Sequence, residues 1–114
     1  MTDVEGLCEV VITAPDAEWL LAFTRALVAD RLAASAHNLA EVRTVYRWDG
    51  DVHDATEARC MIRTRRALVD AIIERARLEH PYLVPSVVAL PIVAANPDYA
   101  AWIITETRDL DDPG

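Results

Sequence analysis

Between Glu41 and Thr64 the side chains alternate along two arms that meet at Asp49-Gly50. Val42, Thr44, Tyr46 and Trp48 share one face of the first arm, and Arg43, Val45 and Arg47 share the other. On the second arm Ala58, Cys60, Ile62 and Thr64 alternate with Glu57, Arg59, Met61 and Arg63. The period of two predicts paired strands, and Asp-Gly predicts a type I′ turn, because glycine accepts positive φ without strain. Both arms exceed the roughly 5–6 residues of an ordinary strand. Tyr46 and Trp48 lie near the tip, far from a core that one small domain can supply. An exposed aromatic ribbon with free edges predicts self-association, because another chain must cover it.

The remaining pattern adds elements on both sides. Leu7-Cys8-Glu9-Val10-Val11-Ile12-Thr13 reads as a central strand covered on both faces. Thr13 is the expected cap of a helix from about Pro15 to about Ala34, with an apolar stripe of Leu20, Phe23, Leu27, Val28 and Leu32. Polar Ser35-Ala36-His37-Asn38 leads into the hairpin. After it, Thr64 is placed to cap a helix over about Arg66–Glu79, whose apolar side is Leu68, Val69, Ile72, Ile73 and Ala76. Arg66 and Asp70 stand at ion-pair spacing on it. Two prolines then force an extended stretch through His80–Pro85. Val87–Val93 is the last strand, and Pro91, lacking a ladder donor, assigns it to an edge or a bulge. Asn96-Pro97-Asp98 opens a final helix carrying Tyr99, Trp102 and Ile103 on one side. Residues 108–114 read as a loose acidic tail.

This order, β-α-β-β-α-β plus a C-terminal helix, predicts an α+β ferredoxin-like sandwich. Right-handed crossovers place strands one and three at the centre, helices on one face, and leave the other face for a partner. The 114 residues fit a single domain over 1–114 with its core at about 7–106.

Charge narrows the partners. The chain carries 19 acidic and 11 basic side chains, a net charge of −8. A phosphate-binding surface needs a basic patch, so nucleic acid is not expected, and the same reasoning disfavours an anionic membrane. The ferredoxin-like RNA binders stack bases on aromatics of the two central strands, and those strands here carry none. No apolar run approaches the roughly 20 residues that span a bilayer, and Met1–Glu5 lacks the order of a signal peptide, which predicts a cytoplasmic protein.

Candidate chemistry is sparse. With three glycines there is no phosphate loop, and no CxxC, HExxH or GxSxG occurs. His37, His53 and His80 fall at no metal-ligand spacing. His80, closing the second helix, and Cys60 are the candidate metal ligands, with two buried, reduced thiols the plainer reading of Cys8 and Cys60. Tyr46, Trp48, Tyr82 and Trp102 are candidates for a subunit interface or a cleft between subunits, with Arg47 and Arg63 as basic residues flanking it. No nucleophile, base and orienter assemble, so the expectation is a non-enzyme without a required cofactor. A cofactor-free oxygenase using His80 as base is a remote alternative.

Leu27–Ala34, Thr44–Gly50, Arg63-Thr64-Arg65, His80-Pro81-Tyr82 with Val84-Pro85, Ala89-Leu90-Pro91, and Asn96–Tyr99 with Trp102-Ile103 together resemble the CutA family of divalent-cation tolerance proteins. The resemblance covers about Leu7 to Glu106. It implies a stable homotrimer whose hairpins extend into neighbouring subunits, an architecture similar to the PII signalling proteins, and a link to copper and other divalent metals, without established catalysis. The chain departs from the family pattern at Ser35, where a Cys is usual, and at Leu83 and Ser86, where Glu is common. These changes remove a thiol and two carboxylates from that region. The alternative the resemblance supports is a PII-like trimeric signalling module, taking a small anion between subunits on Arg47 and Arg63.

Overall fold

The computed structural model describes residues 6–109. Its elements are β1 (Leu7–Ala14), α1 (Ala17–Ala29), β2 (Ser35–Trp48), β3 (Asp51–Arg65), a 3-10 turn (Arg66–Leu68), α2 (Val69–Glu79), β4 (Val87–Pro91) and α3 (Pro97–Glu106). The sheet is antiparallel in the order β2-β3-β1-β4, the expected ferredoxin-like arrangement with β1 and β3 central. The acidic tail expected at 108–114 lies outside the described residues from 110 onward.

One face of the sheet carries the main core. Cys8, Val10, Ile12 and Ala14 of β1 and Ala58, Cys60 and Ile62 of β3 alternate onto it, against Leu20, Phe23 and Leu27 of α1 and Ile72 and Ala76 of α2. Leu7 alternates to the opposite face and is buried with Ala34 and with Ala100 and Ile103 of α3. The last helix therefore covers one end of the second face. The rest stays open: Leu39, Val88 and Leu90 are 53%, 51% and 46% exposed.

α1 is shorter than the periodicity predicts. Asp16 rather than Thr13 caps it, its side chain accepting from Glu18 N. The helix ends because Arg31 takes φ 60°: its N–H donates to Val28 and Leu32 N–H donates to Leu27, a Schellman closure. Thr24 is buried in the stripe, Val28 is half-exposed, and Leu32 reaches the core from outside the helix.

Four further expectations are corrected. The polar segment Ser35–Asn38 is already strand, paired with Arg63–Cys60, and a register shift between Ala40 and Val42 separates it from the overhang. Thr64 does not cap α2; it is buried within β3, where its hydroxyl donates to Leu32 O at 2.6 Å, and the helix opens through the 3-10 turn without a side-chain cap. Arg66 sits in that turn, off helical spacing, and its expected pair with Asp70 is not among the ion pairs of the described residues; α2 instead carries Arg75–Glu79 and Arg77–Glu74. β4 closes at Pro91 rather than Val93, and lies at the sheet edge as the proline requires.

The hairpin outgrows its support. β1 pairs with β3 from Leu7↔Arg65 to Ala14↔Ala58, and residues 51–57 of β3 have β2 alone beside them. This overhang stretches the molecule to 48 × 30 × 23 Å.

Candidate functional site

The base of the overhang holds a buried carboxylate. Glu57, the first β3 residue beyond the reach of β1, is 6% exposed, and the Tyr82 hydroxyl donates to its Oε2 at 2.8 Å. Burial, the Glu57 carboxylate and then Tyr46 push the Tyr82 phenol up to about 12. Tyr82 is held there by the segment following α2. Its backbone N–H donates to His80 Nδ1 at 3.0 Å, while His80 Nε2 lies 2.8 Å from the Thr13 carbonyl of β1. The buried His80 ring also meets the edge of Trp19 at 5.0 Å. Both ring nitrogens of His80 are thus engaged within the chain.

The tip of the overhang is open. Trp48 pairs with Asp51 and is 52% exposed. Tyr46 stacks on His53 across the strands at 5.3 Å, and His53 Nε2 lies 3.1 Å from the Trp48 carbonyl. Arg47 turns back to Gly50 O at 3.5 Å.

A third group forms where α3 meets the sheet. Arg63 Nε donates to Glu9 Oε1 at 2.9 Å, across the pairing that sets the two opposite each other, and Nη1 donates to the Tyr99 hydroxyl at 3.3 Å. The Ser35 hydroxyl is 3.4 Å from the same phenol, and Trp102 stacks on Tyr99 at 5.6 Å. The aromatic and basic candidates therefore divide among three places. Tyr82 joins His80 at the hairpin base, Tyr46, Arg47 and Trp48 stand on the overhang, and Arg63 meets Trp102 through Tyr99. Glu57, Glu9 and Tyr99 complete these groups without having been singled out. The visible sign for Glu9 was a carboxylate inside an otherwise apolar strand run, whereas Glu57, between Thr56 and Ala58 and close to Asp54 and Arg59, carried no such sign.

Cys60 is wholly buried opposite Ile12, and burial pushes its thiol up to about 11. Cys8 stands opposite Thr64. The register separates the two thiols by four ladder steps, roughly 13 Å at 3.3 Å per residue, too far for a disulfide or a shared metal. Among the described residues no group of three or more His, Cys, Asp or Glu side chains is assembled to hold a metal ion. No helix among them is long and apolar enough to cross a membrane.

The family model for CutA1 divalent ion tolerance proteins matches residues 8–106. The chain belongs to this family. It is 36% identical over 98 residues to the divalent-cation tolerance protein CutA of Thermus thermophilus, covering 86% of this chain and 95% of the relative. To the mouse protein CutA it is 34% identical over 103 residues, 90% of this chain, but it spans 58% of that protein's length. Among solved structures, CutA from Xylella fastidiosa superposes with a TM-score of 0.87 at 32% identity, covering 91% of this chain and all (100%) of that one. The open sheet face and overhanging hairpin described above are thus features of a chain with the CutA fold.

Proposed function

We propose that the protein is a homotrimeric, non-enzymatic divalent-cation response protein of the CutA type, working in the cytoplasm. The observation that carries the assembly is the unsupported hairpin. Residues 42–57 project beyond β1 with Tyr46, Trp48, Val45 and Val52 exposed, while the part of the second sheet face not covered by α3 lies open and β4 forms a sheet edge. Covering these surfaces with copies of the same chain removes free strand edges and apolar area from water together. The family's designation, divalent ion tolerance, supports the cation reading.

Copper or another divalent cation is the ligand class that reading implies. Neither His80 nor Cys60 fits it in the folded chain, because one has both nitrogens hydrogen-bonded and the other is sealed in the core. We therefore assign cation contact to groups brought together between subunits. The alternative, a PII-like module sensing a small anion, is less supported. Arg63 already serves Glu9 and Tyr99, and Arg47 is folded onto its own turn.

Native mass spectrometry of the metal-stripped protein, titrated with copper and zinc, tests both parts. The expected result is a trimer that takes up metal in a whole-number ratio per subunit or per trimer. A trimer with ragged uptake removes the metal role and leaves the scaffold, and a monomer overturns the assembly.

A further inference from the structure

His80 ties three elements together at one point. Its Nε2 reaches the last carbonyl but one of β1, its Nδ1 receives the Tyr82 N–H, and it closes α2 through its own N–H to Ala76 O at 2.8 Å. A backbone N–H can only donate, so Nδ1 must be the bare nitrogen and the ring proton sits on Nε2, donating to Thr13. Tyr82 continues the chain of contacts to Glu57. That carboxylate stands one residue beyond the last β1–β3 pair, Ala14↔Ala58. The Tyr82–Glu57 bond therefore ties β3 to the segment after α2 at the point where β1 stops supporting it.

We propose that His80 is a proton-operated latch on the base of the hairpin: protonation turns Nδ1 from acceptor to donor, expels the Tyr82 N–H, and loosens Tyr82 from Glu57. The imidazolium keeps its Nε2–H bond to Thr13 and loses the other, so the segment after α2 is the part that moves. The elements around the ring offer it Thr13 from β1, Trp19 from α1 and Tyr82 from its own segment. The titratable groups in this set are Tyr82 and, through its hydroxyl, Glu57 of β3. Glu79, the preceding residue in α2, is occupied by Arg75. The switch is the bond at Nδ1. It lies within one chain and is independent of the trimer reading.

The test is residue-resolved NMR on the intact protein. Ring-nitrogen spectra report the tautomer and protonation of His80 separately from the exposed His37 and His53. Amide exchange of Tyr82, corrected for its intrinsic pH dependence, reports the latch. The expected result is the Nε2–H tautomer at pH 8. As His80 protonates, Tyr82 protection then falls by about fivefold or more, the loss one ordinary hydrogen bond predicts. His80→Asn keeps a non-titrating acceptor within reach of the i+2 N–H, and should hold that protection flat from pH 8 to 5. An Nδ1–H tautomer, a ring that stays neutral down to pH 5, unchanged Tyr82 exchange on protonation, or the same pH dependence in His80→Asn would each overturn the latch. Particle mass recorded on the same samples reads the assembly separately.

Discussion

The Thr64 hydroxyl, sealed inside β3, donates to the Leu32 carbonyl at 2.6 Å. This bond pins the end of the α1–β2 connection to the central strand, just after the helix has been closed at Arg31. Ala34 N–H adds a second tie, to Arg63 O at 2.9 Å. Thr64→Val keeps the shape and removes the donor, leaving the carbonyl without this partner. The expected loss is about 1–3 kcal/mol, measured as a lowered guanidinium midpoint at fixed protein concentration. Thr64→Ser, which keeps a hydroxyl, should recover much of it. Equal stability of wild type and Thr64→Val would remove Thr64 as an anchor.

The misreading of Thr64 shows what was legible. Alternation identified its strand and Asp49-Gly50 identified the turn, because both depend on neighbouring residues alone. The helix cap was inferred from residue type at an element boundary, and the deciding partner, Leu32, is 32 residues away. The end of α1 escaped for a related reason. The left-handed closing position usually belongs to glycine, and here it is Arg31. Its guanidinium serves elsewhere too, donating to Thr105 O at 2.7 Å and Glu106 O at 3.3 Å at the end of α3. Pro91, by contrast, marked an edge strand correctly because its missing N–H is a local fact. The site was legible as a list of conspicuous side chains and not as groups. That Tyr82 finds Glu57, or Arg63 finds Glu9 and Tyr99, follows from strand order and register, which bring residues distant in sequence together.

Cys60 and Cys8 should behave as inert core thiols. Burial raises both, Cys60 to about 11, and the thiolate is the reactive form. In the native protein near pH 7.5 they are expected to react with a thiol reagent at least ~100-fold more slowly than free cysteine, whose unperturbed value is ~8.5. Both should titrate rapidly after unfolding. Fast native labelling of one thiol per chain would show that the core opens around it, and would restore Cys60 as a candidate soft-metal ligand.

Tyr82 predicts how the fold responds to alkali. Burial, then the Glu57 carboxylate, lifts its phenol from 10.0 to about 12. The folded chain thus favours the protonated form more than the unfolded chain does. Below about pH 10 both states are protonated, and the stabilisation from this group is present in full. Above that, the unfolded chain ionises first, so the contribution declines and is gone once pH passes the folded value near 12. The guanidinium midpoint should therefore fall between these limits more steeply in wild type than in Tyr82→Phe, which has no phenol to ionise. Glu57→Gln removes the facing charge, so in that variant Tyr82 should ionise earlier. Ultraviolet titration should likewise show one of the three tyrosines ionising late in the wild-type protein. Tyr82→Phe removes that late component if Glu57 and Tyr82 are partnered in solution. Its survival would place the retarded phenol on Tyr46 or Tyr99 and dissolve the bond at the hairpin base.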